Sequence, residues 1–177
     1  MTNTAIAVAM QRMETVLQRR PDFGLQDDAP ATARWQGGTR IAASHPNGMQ
    51  LLTDLPTELG GTGDQVSPGW PFRAGIASCL ATTIVLHAAA QGIELATLEV
   101  LATSRSDTRG LLGMADAQGD PVNAACCEMK LSVRICAHGV APERLRALVE
   151  LGYRCASVPM ALVNGGPLAL HIDVNAD

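Results

Sequence analysis

The stretch that decides the fold runs from Pro68 to Gly92 and reads PGWPFRAGIASCLATTIVLHAAAQG. Pro71 suits the first turn of a helix, where its missing N–H costs nothing, and Gly92 suits the residue just past the end. The run between them is apolar on every side, and a helix of that kind has to be buried on every side. Arg73 and His87 bracket only 13 residues, whereas a membrane span needs about 20 apolar residues. The stretch therefore predicts the central core helix of a soluble domain, with Cys79 inside it.

Composition excludes several classes of function. The chain has 177 residues with 13 basic and 17 acidic side chains, a net charge of −4 that gives no electrostatic case for nucleic-acid binding. Residues 1–9 lack the basic flank and long apolar core of a secretory signal. Five cysteines in a chain of this length do not suggest a disulfide scaffold. We therefore expect a cytoplasmic protein in a reducing setting, with no membrane partner.

The segment before the core helix predicts a helix followed by a β-hairpin. Thr4 to Arg20 has apolar residues at helical spacing, and Pro21 stops the helix. Ala31 to Thr53 predicts a hairpin with strands around 33–43 and 49–53, because Asn47-Gly48 is a strong turn dipeptide. The glycine-rich stretch that follows predicts a flexible loop beside a site.

Three strands and two helices are predicted after the core helix. Strands are expected at 95–103, 125–137 and 168–174, and Cys127 begins the apolar face of the second. A helix is expected over Pro142–Leu151, with Gly152 just past its end, and a shorter helix begins near Val158.

The order of these elements predicts an α+β domain in which helices cover one face of a largely antiparallel sheet. Residues 1–30 are expected to form an N-terminal helix and linker, and residues 31–177 a single domain. An all-apolar helix is hard to bury in a domain of this size, so we expect a dimer that shares it in the interface.

The cysteines leave two interpretations open. A cysteine in an apolar helix is by default a small, inert hydrophobe, and Cys79 can be one. Cys79 can also be a reactive thiol, since the polar residues Ser78, Thr82 and Thr83 are close in sequence. Cys155 is a second candidate for a reactive thiol. It follows Arg154 at a helix junction, where cations and backbone donors favour the thiolate. The other three cysteines are explained by strand alternation. There is no Cys-x-x-Cys pair and the histidines are scattered, so no metal site is expected.

The chain resembles the OsmC/Ohr family from about Trp35 to Val174. The best segment comprises Ser67-Pro68, Phe72, Ala74-Gly75, Ala77, Cys79-Leu80, Thr83-Ile84, Ala88 to Leu95 and Leu98-Glu99-Val100. Glu58-Leu59-Gly60-Gly61 matches the lead-in loop, and Arg154-Cys155 with Val158 and Ala161-Leu162 matches the second cysteine motif.

The resemblance implies the OsmC-like fold, an intertwined, domain-swapped homodimer, and a thiol peroxidase that acts on small organic or inorganic hydroperoxides in oxidative-stress defence. Cys79 would become a sulfenic acid and Cys155 would condense with it to a disulfide, which an external dithiol or lipoyl-type reductant would reduce, with no bound cofactor. An arginine supplied by the other subunit would activate the thiol. Arg40 is the best match for it and Arg34 the reserve.

This chain departs from the family pattern at Gly69, where the family has a glutamate that orients the arginine. Trp70 follows, and Arg73 adds a cation where the family has a small residue. These differences motivate an alternative function, a non-catalytic dimer of the same fold that binds a small apolar ligand in the same interface pocket. The sequence thus predicts a thiol site, and it does not decide between peroxidase activity and non-catalytic ligand binding there.

Overall fold

The computed structural model describes residues 3–174, which form five α-helices and five β-strands. The helices are α1 (Asn3–Arg19), α2 (Gly69–Ala90), α3 (Thr108–Leu111), α4 (Pro142–Cys155) and α5 (Ser157–Asn164). The strands are β1 (Thr32–Trp35), β2 (Ile41–Ser44), β3 (Gln50–Thr53), β4 (Leu95–Arg105) and β5 (Cys127–Ala137). All strand pairs are antiparallel, which confirms the predicted α+β class. Residues 1–2 of the predicted N-terminal segment and residues 175–177 of the predicted single domain lie outside the described range.

The first sheet is a three-stranded meander, β1-β2-β3, rather than the predicted two-stranded hairpin. The turn at Asn47-Gly48 is confirmed, with Gly48 at a φ of 93° and the Met49 N–H bonded to the Asn47 side chain at 3.0 Å. The expected long strand over residues 33–43 is wrong because Gly37 and Gly38 adopt φ values of 106° and 56° and fold it into a second turn. Arg40 lies at the end of that extra turn.

The second sheet pairs β4 with β5. From Met129 onward, half-buried and exposed side chains alternate along β5 as predicted. The prediction for the start of the strand is wrong. Glu128 has a φ of 49° and the register shifts between Thr103 and Arg105, so the alternation is broken there. Cys127 is consequently exposed, whereas Cys126 is half-buried and lines a cavity.

Helix α2 is the centre of the core, as the sequence predicts. It packs against α1, α4, α5 and β4, and Ile76, Leu80 and Ile84 are no more than 1% exposed. Its first turn is less well covered, because Trp70 and Phe72 are 50% and 38% exposed. The helix is therefore less buried at its first turn than at its centre.

By length and composition alone, α2 could cross a membrane, and 28% of its most apolar window is buried. The core helix of a soluble protein passes the same test. Its fully buried contacts with α4 and β4 favour the core-helix interpretation.

Helix α4 continues through Gly152 to Cys155, so the prediction that Gly152 lies past its end is wrong. A Cβ atom at Gly152 would lie 2.7 Å from Ile84 Cγ1 and 3.2 Å from the Ile84 backbone. Glycine is therefore present for close contact with α2 rather than to end the helix.

The predicted final strand, Leu168 to Val174, is wrong for the single chain, where these residues form neither helix nor strand. The apolar side chains are highly exposed: Leu168 98%, Leu170 84%, Ile172 69% and Val174 84%. The alternating pattern is present, but no neighbouring strand in the described part of the chain pairs with it. An extended segment without a partner strand does not become part of a sheet.

Candidate active site

The sulfur of Cys79 lies at the first turn of α5. The Val158 N–H donates a hydrogen bond to Cys79 Sγ with an N–S distance of 3.5 Å, and Ser157 Oγ is 3.7 Å from the same sulfur. Backbone N–H groups and hydroxyls at a helix N-terminus are the kind of contact that stabilises a thiolate. The site therefore offers Cys79 a polar environment inside an otherwise apolar helix.

Close packing of α4 on α2 brings α5 to this position. Thr83 Oγ1 donates a 3.0 Å hydrogen bond to the Gly152 carbonyl, which joins the two helices one turn beyond Cys79. Ala156 is fully buried and links α4 to α5. The first N–H groups of α5 are thus held beside the thiol.

Cys155 is the last residue of α4 and is exposed. It precedes Ser157 by two residues, and the hydroxyl of Ser157 is the side-chain group bonded to the Cys79 sulfur. Both cysteines are free thiols in this structure. Sequence reasoning missed Ser157; its position at the start of a predicted short helix, just after Cys155, is the signal that could have found it.

Arg40 belongs to a polar cluster between the β1–β2 turn and the loop after β3. Its Nη2 donates to Thr62 Oγ1 at 2.7 Å, to Asp54 Oδ2 at 3.4 Å, and to the carboxylate of Asp64. Thr39 also donates its hydroxyl to Asp54. The contacts of Arg40 within this chain are therefore with carboxylates and a hydroxyl rather than with Cys79.

Asp54 is the centre of that cluster, since its side chain is only 2% exposed. It accepts N–H bonds from Leu55 at 2.8 Å and from Thr62 at 3.2 Å. Hydrogen bonds from the Thr39 and Thr62 side chains hold the pKa of Asp54 well below its usual range. The Asp64 pKa is lowered as well, mainly by Thr62 and then by Arg40. The carboxylates stay charged and fix the loop on which Arg40 rests.

We expect Asp54→Asn to lower the thermal midpoint at pH 7, because the amide would replace a charged acceptor of several hydrogen bonds. The pKa of Asp54 is depressed in the folded protein, so its stabilising effect is complete above the unfolded value of about 3.9 and is lost as pH falls toward the folded value. The midpoint difference between parent and variant should therefore narrow steadily below about pH 4. Calorimetry from pH 7 to pH 3 measures it. Asp27→Asn, in an exposed loop, is the control, and a difference independent of pH would contradict an electrostatic role.

The two other candidate arginines lie elsewhere. Arg34 is exposed on β1. Arg73 lies near the start of α2 and donates from Nη1 to Ser104 Oγ on β4 at 3.3 Å. It is six residues before Cys79, which places it about 9 Å along the helix axis and about 120° around it. Arg73 and Cys79 of one chain therefore face different neighbours.

An open apolar cavity of about 860 Å³ is lined by residues of α2, β5, α4 and α5. Its lining includes Phe72, Ile76, Leu80, Tyr153, Pro159 and Leu162. Among residues 3–174 there is no group of three or more His, Cys, Asp or Glu side chains that could hold a metal ion.

Solved structures with the same fold come from several bacteria. An OsmC-like protein of Mycoplasma pneumoniae superposes with a TM-score of 0.64 at 17% identity, over 78% of this chain and 89% of that one. An organic hydroperoxide resistance protein OsmC of Legionella pneumophila superposes with a TM-score of 0.53 at 23% identity, over 78% of this chain and 90% of that one. An organic hydroperoxide resistance protein of Elizabethkingia anophelis superposes with a TM-score of 0.55 at 20% identity, over 77% of this chain and 89% of that one. At these identities the similarity shows the fold alone.

Sequence comparison supplies the family. No curated protein matches the chain. The family description that matches is that of the OsmC-like proteins, and the matched residues, 61–170, include Cys79, Cys155 and Ser157. Since this match covers more than half of the sequence and the solved structures share the fold, the chain belongs to the OsmC-like protein family.

Proposed function

We propose that this protein is a thiol-dependent peroxidase that reduces organic or inorganic hydroperoxides at Cys79 as part of a cytoplasmic defence against oxidative stress. The observation that carries the proposal is the position of the Cys79 sulfur, which accepts the Val158 N–H and contacts the Ser157 hydroxyl. Membership of the OsmC-like family supports it. So do the names of the two similar hydroperoxide resistance proteins.

The proposed reaction has three steps. The Cys79 thiolate attacks the terminal peroxide oxygen, the O–O bond breaks, and the alkoxide leaves with a proton as an alcohol, so that Cys79 becomes a sulfenic acid. The Cys155 thiol then attacks the sulfenic sulfur and water leaves, which forms a Cys79–Cys155 disulfide. A dithiol or lipoyl-type reductant finally reduces the disulfide by thiol exchange, and no bound cofactor is required.

The second step requires Cys155 to reach the position where Ser157 now contacts Cys79. Disulfide formation needs Cα atoms about 4.4–6.8 Å apart, and the exposed end of α4 is the segment that would adjust. We expect one equivalent of an organic hydroperoxide to link Cys79 to Cys155, detected by peptide mass after thiol blocking.

The matched variant for this experiment is Ser157→Cys, which places a thiol where a hydroxyl already contacts Cys79. In that variant the crosslink should form faster and should join residues 79 and 157. Unmodified thiols, with the peroxide unconsumed in both proteins, would falsify the peroxidase mechanism.

We also propose that the active form is an intertwined homodimer. The exposed first turn of α2, with Trp70 and Phe72, is an apolar surface suited to a second copy. The alternating apolar segment from Leu168 to Val174 is suited to pairing with a strand of the partner. In such a dimer Arg40 of one subunit would leave Asp54 and Asp64 and stabilise the thiolate of the other.

Removing the residues after Gly165 should convert the dimer to a monomer, because it deletes the proposed exchanged strand while leaving α5 intact. Light scattering after size exclusion measures the mass of each form. Leu168→Ala, which shortens one exposed side chain, is the mild control and should remain dimeric at high concentration. A full-length chain that is monomeric at all concentrations would contradict the proposal.

The apolar cavity of about 860 Å³ favours a second candidate function, the binding of a small apolar ligand without catalysis. Gly69, in place of the family glutamate, is consistent with it. The two functions differ in their dependence on the thiol. A Cys79→Ser variant that binds an apolar fluorescent probe as tightly as the parent, together with a parent that consumes no peroxide, would favour the binding function.

A further inference from the structure

A second cavity, of about 610 Å³, lies where the first turn of α2 meets the end of β4 and the loop that leads to α3. We call it the Arg73 cavity. Its walls are more polar than those of the first cavity, and five of its lining residues carry hydroxyl groups: Ser67, Thr103, Ser104, Ser106 and Thr108. It belongs to neither the Cys79 contacts nor the Arg40 cluster.

Arg73 supplies the positive charge of this cavity. Its guanidinium carries five N–H donors, and within the described residues it makes one hydrogen bond, to Ser104 Oγ at 3.3 Å. No carboxylate of residues 3–174 forms an ion pair with it, in contrast to Arg40, Arg105, Arg109 and Arg134. A guanidinium with unused donors matches the geometry of a carboxylate or phosphate group.

Asp107 is the one acidic side chain among the described lining residues, and its charge is already neutralised. Arg109 Nη2 lies 2.6 Å from Asp107 Oδ2, and the Arg109 N–H and Nε donate to the same carboxylate at 2.9 Å and 3.1 Å. The pKa of Asp107 is lowered by these bonds. The cavity therefore keeps a net positive charge from Arg73.

Gly69 provides the room that the guanidinium occupies. A Cβ atom at this position would lie 3.3 Å from Arg73 Nη1, which is tighter than usual. The absence of a side chain one turn before Arg73 thus leaves the guanidinium open to the cavity. A glutamate at the same position would place a carboxylate within reach of the guanidinium and neutralise it.

We propose that the Arg73 cavity binds a small molecule through an oxyanion, a carboxylate or a phosphate group. The Arg73 guanidinium binds two oxygens of the anion, and the hydroxyl of Ser104, which accepts from Arg73, donates to a remaining lone pair. This binding requires no thiol chemistry, so the proposal stands or falls independently of the peroxidase function.

Titration calorimetry at pH 7 and low ionic strength, with inorganic phosphate and sodium benzoate as separate probes, tests the proposal on the full chain. At least one anion should bind, and the tighter of the two identifies the group. Benzamide, which is neutral, should not bind. Arg73→Gln should weaken the binding at least about 10-fold, the loss expected when a charged hydrogen-bond donor is replaced by a neutral one.

Two further variants keep the experiment decisive. Gly69→Glu should abolish anion binding even if Arg73→Gln does not fold, because it supplies an internal carboxylate. Arg134→Gln removes an exposed arginine on β5 that pairs with Glu99, and it should bind like the parent. Absence of binding for both anions, or equal affinity in the parent and Arg73→Gln, would overturn the proposal.

Discussion

Cys79→Ser is expected to abolish peroxide consumption, lowering the rate on the order of 10³-fold or more, as happens when a catalytic nucleophile is removed. A hydroxyl is far less ionised than a thiol at neutral pH, so the Val158 N–H and the first turn of α5 have no anion to stabilise. Serine is similar in size to cysteine and accepts the same hydrogen bond, so the fold should be retained. Ferrous-xylenol orange measurement of residual hydroperoxide gives the rate, and circular dichroism verifies the fold.

Two control variants make this loss interpretable. Cys136→Ser alters an exposed cysteine of β5 and should leave the rate unchanged. Cys155→Ser should permit one turnover and leave a sulfenic acid on Cys79 that a dimedone probe can label. Peroxide consumption by Cys79→Ser at the parental rate would refute the assignment of the nucleophile.

Gly152→Val is expected to destabilise the helical core strongly. Its Cβ would lie 2.7 Å from Ile84 Cγ1 and 3.2 Å from backbone atoms of α2, so α4 would have to move away. Ile84 is fully buried and has no free space into which to turn. The cost should be about 2–3 kcal/mol of unfolding free energy, in the range for an overpacked core.

The same substitution should affect the site. Moving α4 also moves α5, and it weakens the Thr83–Gly152 hydrogen bond of 3.0 Å that holds Val158 near Cys79. We therefore expect both a lower urea midpoint and a changed rate of iodoacetamide labelling at Cys79. Ala147→Val adds the same kind of side chain on the exposed face of α4, and its cost should be a few tenths of a kcal/mol. Equal stability of the two variants would contradict close packing at Gly152.

Local sequence patterns predicted most of the secondary structure. The core helix between Pro68 and Gly92 is found at Gly69–Ala90, because a long apolar run with matched start and stop residues has few alternatives. The alternation on β5 is also found, from Met129 onward. These signals are read within a few residues of one another and need no information about the rest of the chain.

The secondary-structure predictions were wrong mainly at glycines, a residue type that can have either of two structural roles. Glycine either bends a chain or permits close contact, and the sequence does not distinguish the two. Gly37 and Gly38 form a turn inside a predicted strand, and Gly152 permits helix contact inside α4 where a helix end was predicted. The final strand was wrong for another reason, since Leu168 to Val174 have a strand pattern but no strand in the described part of the chain pairs with them.

For the candidate site, the sequence by itself determined the core helix, the cysteine within it and the family to which they point, because these depend on residue order alone. Only the tertiary structure decided what surrounds the thiol and the arginines. Ser157 and Val158 are 78 and 79 residues from Cys79, and Arg40 is held by carboxylates 14 and 24 residues away. Contacts over such separations are fixed by the packing of α4 on α2 and by the turn at Gly37-Gly38, and local periodicity does not contain them.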